Sequence, residues 1–355
     1  MAGPSPSRTE APAPEDPAGP TFELFRERFR EAAEAAGGAE DRFIEIAGVS
    51  VRLSFAGPEL LEVYWSSFEP PLRAAGPGGA EVTVEIFDSA STGAAAPRLA
   101  WRHEDPEPDH VARYDGPEVG ALQEFGCPAL TIARPESGVA VHHVPSAQSV
   151  SWIERGSAFR FAMASLLGPR GRHLVHGAAV GEGGAGVLLA GPSGAGKSTL
   201  SVACLQAGLQ WAGDDYVVLE PGEPPVAHAL HVTAKLSPAS VDALGVGELV
   251  VGEASPPDEK AVLLMPGIDP LVVTGLAIGA VLIPRIGPAP GLSEASAAQS
   301  FAALAPTTMF QQTSRSRASM AAIGALTKQV PARFIDLGPD HAENAATVRE
   351  ALLEF

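Results

Sequence analysis

The sequence predicts an α/β fold, α+β taken as a whole, with a β-rich unit over residues 21–157 followed by a strand, glycine loop and helix unit over 172–355. Three observations carry this. Between Arg42 and Val150 the apolar residues fall in short alternating runs separated by connectors such as Gly76-Pro77-Gly78-Gly79, the pattern of half-buried strands. Beyond Arg172 continuous apolar runs alternate with glycine turns and helical segments, the order of α/β units. A length of 355 residues is enough for two ordinary cores.

Taken in order, residues 1–20 are built from Ala, Pro, Ser and Gly and read as a disordered tail, with no apolar core for a signal peptide or anchor. Thr21–Ala36 sets Phe22, Phe25 and Phe29 at helical spacing, and Gly37-Gly38 ends that helix. Strands follow at 43–46, 49–53, 82–87 and 138–141, with a helix at 59–75. His103, His110, His142, His143 and the acidic run 104–109 match no zinc spacing and read as solvated loop. A second helix, 158–167, leads into the C-terminal unit, with the boundary near 157–172. The stretch 271–284 is uncharged but too short for a bilayer of ~30 Å, and reads as buried strand.

With 42 acidic against 24 basic residues the chain carries a formal charge of −18, which repels phosphate backbones and anionic lipid. Nucleic acid and membrane surfaces are therefore not expected partners; small molecules and polypeptides are. The two cysteines, Cys127 and Cys204, are isolated and fit a reducing cytoplasm. Lysine occurs only at 197, 235, 260 and 328, while every other basic residue is arginine. In a chain so biased, a retained lysine marks a place where arginine does not serve.

The informative stretch is His173–Glu220. Gly191-Pro192-Ser193-Gly194-Ala195-Gly196-Lys197-Ser198 fits G-x-x-x-x-G-K-[ST], preceded by the apolar strand 187–190 and followed by a helix opening with Ser198 and Thr199. Glycines at 191, 194 and 196 let backbone N–H groups converge on phosphate oxygens, and the helix adds its positive end to the same anion. Lys197 is placed for the β- and γ-phosphates and the Ser198 hydroxyl for Mg²⁺, which makes ATP and Mg²⁺ the expected cofactors.

Helix and strand lengths return the chain to this loop. Residues 198–207 run ~15 Å away at 1.5 Å per residue, and 209–213, read as a strand, return by ~16 Å at 3.3 Å per residue. Asp214 and Asp215 then stand at the carboxyl edge of the sheet, where one can hold the metal and the other accept a proton. If 172–180 and 186–190 pair with Val180 opposite Gly186, His176 lies opposite Ala190, where it could orient a phosphate, tune an aspartate or simply fill the core.

The series His176-Gly177, the loop ending Lys197-Ser198, and Asp214-Asp215 resembles the catalytic domain of bacterial HPr kinase/phosphorylase, with 21 residues from His176 to Lys197 and 18 from Lys197 to Asp215. The resemblance implies a P-loop kinase of the phosphoenolpyruvate-carboxykinase-like type that phosphorylates a protein serine. By position Asp215 would be the proton acceptor, Lys197 the phosphate ligand, Ser198 a Mg²⁺ ligand, His176 an active-site residue and Asp214 a neighbouring acidic group; of the pair, Asp214 is then the carboxylate left for the metal. Weaker similarity to HPr-kinase-related proteins covers 229–238, with Lys235, and 304–311. Arg285 is a candidate for the catalytic arginine, and Lys235 for a charge on the transferring phosphoryl; Gln311 and Gln312 are lesser ones. The family's later Mg²⁺-binding glutamate and phosphorolysis loop have no match.

The expected function is thus an ATP- and Mg²⁺-dependent kinase acting on a Ser/Thr of a protein or peptide. A small hydroxyl compound such as a sugar is the second reading, and an ATP-ordered adaptor without catalysis the third. The resemblance also suggests self-association into a homo-oligomer. The sequence lacks H-R-D with D-F-G and lacks N-K-x-D, so neither a eukaryotic-type protein kinase nor a GTPase fits.

Overall fold

The structure is a computed structural model; it describes residues 18–68, 72, 79–97, 99, 111–124, 128–251, 260–265, 270–311 and 317–355. These form a mixed α/β fold with several sheets. Residues 1–17 of the tail expected as disordered, His103, His110, the run 104–109, Cys127 and Gln312 lie outside them, whereas 18–20, also expected in that tail, open a helix: Ala18 caps it and Gly19 begins it.

Helix α1 (Gly19–Ala35) precedes a sheet made of β1 (Ala39–Ile46), β2 (Val49–Ala56), β3 (Val82–Asp88), β4 (Val111–Asp115), β5 (Gly120–Glu124), β6 (Leu130–Arg134) and β7 (Val139–Val144), in the order β1-β2-β3-β7-β6-β5-β4. Strand β3 lies between parallel neighbours and is buried on both faces. Its Ile86 and Val84 join the central core while Phe87 meets Phe22 and Phe25 of α1, and its Glu85 is neutralised by Arg26 at 3.0 Å. The helix expected at 59–75 is shorter: α2 (Pro58–Tyr64) gives way to a 3₁₀ turn ending at Phe68. After α3 (Ser89–Thr92), strand β7 buries His142 between Tyr64 and Thr131, at 3.1 and 2.8 Å, and places His143 2.8 Å from Ser89. These two histidines are core residues with polar partners, not the solvated loop expected of them; alternation along a strand places them where a lone charge run could not.

Helices α4 (Trp152–Arg155) and α5 (Arg160–Leu167) are joined by 156–159 and lead to the larger sheet. There β8 (His173–His176), β9 (Ala178–Glu182) and β10 (Ala185–Leu189) come first, then α6 (Lys197–Gln206), β11 (Gln210–Trp211), β12 (Tyr216–Glu220) and β13 (Val226–Ala229). A three-stranded sheet follows from β14 (Thr233–Leu236), β15 (Val250–Val251) and β16 (Ala261–Leu264), with α7 (Pro238–Leu244) between its first two strands. The chain then returns to the larger sheet through β17 (Gly275–Ile286), β18 (Gly291–Ala295) and β19 (Ala332–Leu337), and α8 (Ala297–Gln311), α9 (Arg317–Gln329) and α10 (His341–Leu352) complete it. The larger sheet has the path β11-β9-β10-β17-β13-β12-β8. The stretch expected as a strand at 271–284 is β17 from Gly275 onward, parallel to β10.

The expected hairpin register is corrected in two respects. Val180 faces Val187 rather than Gly186, and His176 pairs with Tyr216 of β12 rather than with Ala190. At Gly177 the chain passes from one neighbour to another; a Cβ there would stand 2.8 Å from the Leu189 carbonyl, so only glycine allows the approach. One hydrophobic cluster runs through both large sheets, joining Ile44, Val84 and Phe159 to Leu189, Val202 and Ile335.

Candidate functional site

The loop between β10 and α6 takes a conformation that glycine makes possible, with φ of 152° at Gly191, 83° at Gly194 and 95° at Gly196. Gly196 is further fixed by Leu337, whose Cδ1 would lie 2.6 Å from an added Cβ. Pro192, Ser193 and Ala195 fill the loop between these turns, and the backbone N–H of Ala195 bonds the Pro192 carbonyl at 3.3 Å. Lys197 is buried and folds back on the loop, donating to the Gly191 and Pro192 carbonyls at 2.7 and 3.1 Å. Burial lowers its pKa, while Asp214 and Asp215 act to hold its proton. The hydroxyls that follow diverge: Ser198 donates to the Asp214 carboxylate, whereas Thr199 bonds Ser240 of α7 at 3.0 Å.

The two aspartates stand in a β-bulge. Trp211 faces Val180 and Tyr216 faces His176, so four residues, 212–215, lie against three, 177–179. The ladder continues across the gap, with Ala179 N–H bonded to the Gly213 carbonyl and Gly177 N–H to that of Asp215. Within it Tyr216 N–H closes a three-residue turn on the Asp214 carbonyl at 2.7 Å, and Asp215 at its centre has φ 64°. Such a turn is strained, and aspartate is among the few non-glycine residues that tolerate it. The expected strand 209–213 is accordingly only Gln210–Trp211; the extra residue ends the regular ladder early.

The bulge sends the neighbouring carboxylates in different directions. Asp214 is fully enclosed: Ser198 donates to it, Ser201 Oγ lies 3.4 Å from Oδ1, and the Lys235 backbone N–H reaches Oδ2 at 3.2 Å. Its burial, and then the charge of Asp215, raise its pKa. Asp215 meets the Lys235 ammonium at 2.8 Å and the Ser157 hydroxyl at 2.8 Å, both on Oδ2, while His176 Nε2 stands 3.4 Å from Oδ1. Burial alone would push Asp215 up; Lys235 and His176 outweigh it and hold the carboxyl well below the usual carboxylate range. Two adjacent carboxylates thus have their pKa values driven apart, a pattern that separates their chemical roles.

Asp214, Asp215, His176, Lys197, Ser198 and Lys235 are brought together. Thr199 is turned toward α7, and Arg285 stands apart, bound to Asp336 at 3.0 and 3.1 Å and lying over the Phe334 ring. Gln311 ends α8, whose Thr308 hydroxyl accepts the His176 N–H at 3.1 Å. Sequence reasoning missed Ser157, Ser201 and Thr308. Thr308 falls within the weakly similar stretch 304–311 but was not singled out there, Ser201 lies past the loop motif, and Ser157 falls in the stretch read as a boundary.

Among the described residues no three His, Cys, Asp or Glu side chains form a metal cluster. The donors beside the loop, one buried carboxylate and one hydroxyl, suit a hard cation such as Mg²⁺, which takes few protein oxygens and completes its shell with water and phosphate. No helix among the described residues is long and apolar enough to cross a membrane.

No protein-family model matches the chain, and no curated protein matches it in sequence. Among solved structures it is similar to the Hpr(Ser) kinase/phosphatase from Coxiella burnetii, with 13% identity and a TM-score of 0.31, over 51% of this chain and 92% of that one.

Proposed function

We propose that the chain is an ATP- and Mg²⁺-dependent phosphotransferase that moves the γ-phosphoryl group to a hydroxyl acceptor, with a serine or threonine of a protein or peptide as that acceptor. The observation that carries this reading is the bulge: it puts Asp214 on the hydroxyl of the loop's Ser198 and, one residue later, Asp215 on Lys235. On this reading Asp214 is the carboxylate on the metal side and Asp215 the one on the hydroxyl side of the phosphate.

In this reading the loop N–H groups and Lys197 seat the phosphates, and Lys197 exchanges its bonds to the loop carbonyls for phosphate oxygens. Ser198 and Asp214 would hold Mg²⁺, which supplies charge neutralisation on the phosphate oxygens when bound. Asp215, held ionised by Lys235, accepts a hydrogen bond from the acceptor hydroxyl and directs a lone pair at phosphorus. Such a depressed carboxylate is a weak base. That suffices where the transition state is loose and the proton leaves late, since positioning and charge then carry most of the rate. Lys235 adds positive charge on the acceptor side.

The test is Asp215→Asn. Asparagine tolerates the positive φ and keeps the shape while removing the charge. Phosphoryl transfer from radiolabelled ATP into proteins of a cell extract is expected to fall ~10²–10⁴-fold, with Mg·ATP affinity by calorimetry kept. Label found wholly in small molecules would overturn the protein acceptor; unaltered biological activity in the variant would favour an adaptor.

A further inference from the structure

The carboxylate proposed above to orient the acceptor already receives a hydroxyl of the chain itself. Ser157 is completely buried; its Oγ donates to Asp215 Oδ2 at 2.8 Å and stands 2.6 Å from Lys235 Nζ. A series of direct contacts joins it to the loop: Ser198 to Asp214, the Asp214 carboxylate to the Lys235 N–H, and Lys235 Nζ to Ser157.

The placement of this serine is specified from several sides. It lies in the connection 156–159 between α4 and α5, and both neighbouring carbonyls are taken by residues just before or in β14: Thr233 Oγ1 donates to the Gly156 carbonyl at 2.8 Å, and His231 Nε2 bonds the Ala158 carbonyl at 2.8 Å. Phe159 N–H bonds the Glu154 carboxyl at 3.0 Å, and Phe159 is held at φ 58°, a conformation a bulky residue adopts only when its surroundings impose it. An added Cβ on Gly156 would come within 2.6 Å of Lys235 Cε. A serine needed only to fill space would not require this much support. A hydroxyl donating to the carboxylate that orients acceptors, with an ammonium beside it, is the arrangement of a substrate.

We propose that Ser157 is phosphorylated by the chain's own site, in cis. The inference rests on the phosphotransferase reading above. In the step, Ser157 Oγ forms a bond to the γ-phosphorus of ATP, the bond from that phosphorus to the β,γ-bridging oxygen breaks, and ADP leaves with the electron pair. The hydroxyl proton passes to Asp215 Oδ2 and from there to solvent. The product phosphoserine carries close to two negative charges, so it is repelled by Asp215 and attracted to Lys235. Modification therefore separates residue 157 from the carboxylate and opens Oδ2 to an outside hydroxyl.

The purified full-length chain is incubated with γ-labelled ATP and Mg²⁺ and no added acceptor, and the modified position is located by fragmentation mass spectrometry, with Mg·ATP binding followed in parallel by calorimetry. The expected result is one phosphoryl group per chain on Ser157, added at a first-order rate independent of protein concentration. Ser157→Ala and the near-isosteric Ser157→Cys are both expected to lose that label completely. A chain that binds Mg·ATP and phosphorylates other acceptors or hydrolyses the nucleotide while Ser157 stays unmodified overturns the inference and leaves the phosphotransferase reading intact. Absence of Mg·ATP binding overturns both. A rate that rises with protein concentration overturns the transfer in cis.

Discussion

Lys235 shows why a chain that uses arginine almost everywhere keeps a lysine here. Its stem passes against Gly156, its ammonium fits between Ser157 and Asp215, and Trp152 lies beneath at 5.8 Å from the ring centre. A guanidinium is larger and planar and has no room in that enclosure. Lys235→Arg is therefore expected to lose transfer activity despite keeping the charge. Lys235→Met takes the nearer cation from Asp215, leaving it only His176 and the Ser157 hydroxyl, and is expected to destabilise the fold by ~3–5 kcal/mol, read by urea denaturation. Asp214 makes a prediction of its own. Its pKa is raised, so the folded chain binds its proton more tightly than the unfolded chain, and ionising it as pH rises costs stability unless a cation is present. Mg²⁺ with nucleotide should raise the melting temperature more at neutral than at acid pH, and the apparent affinity for Mg²⁺ should fall as Asp214 becomes protonated. An equal shift at all pH values would remove Asp214 from the metal.

At the scale of elements, the site depends on an irregularity in a ladder. Regular pairing of 210–220 with 173–181 would place Asp214 and Asp215 as ordinary alternating strand residues; with the extra residue Asp214 meets Ser198 of the loop while Asp215 meets Lys235, Ser157 and His176. Helix and strand lengths returned the aspartates to the level of the loop because that arithmetic depends only on rise per residue. The bulge and the crossing at Gly177 were not legible, because both arise from a choice of partner strand, and pairing between β8 and β12 spans about forty residues that periodicity does not connect. His176-Gly177 could be seen as a unit, but its reason emerges only from the fold: the histidine reaches Asp215 because the glycine lets the chain pass Leu189. Gly177→Ala is expected to cost ~1–3 kcal/mol through the forced shift of β10. It should also weaken Mg·ATP binding, since β10 leads directly into the loop. A variant that melts lower yet binds nucleotide normally would separate the two effects.

Across the whole molecule, neutral buried histidines set the response to acid. His143 and His231 both have pKa values lowered from 6.5 to about 4, chiefly by burial. Between those values the unfolded chain binds protons that the folded chain refuses, so stability rises with pH in that window and is lost on acidification. Unfolding near pH 5 is expected to take up about two protons from this pair, measured as the slope of unfolding free energy against pH; His231→Gln should lessen that slope. Composition and charge were informative at this scale about what the chain repels, but not about how its parts meet. Near the boundary expected at 157–172 the aromatic contacts are dense: Phe159 lies 4.6 Å from Tyr64 and 6.1 Å from Phe68, and His142 is 5.1 Å away. Through this cluster the first sheet grips the residue two positions after Ser157. An exchange of the first half for that of another protein would thus bring in a foreign grip on the segment that carries Ser157, and so on the hydroxyl held against Asp215.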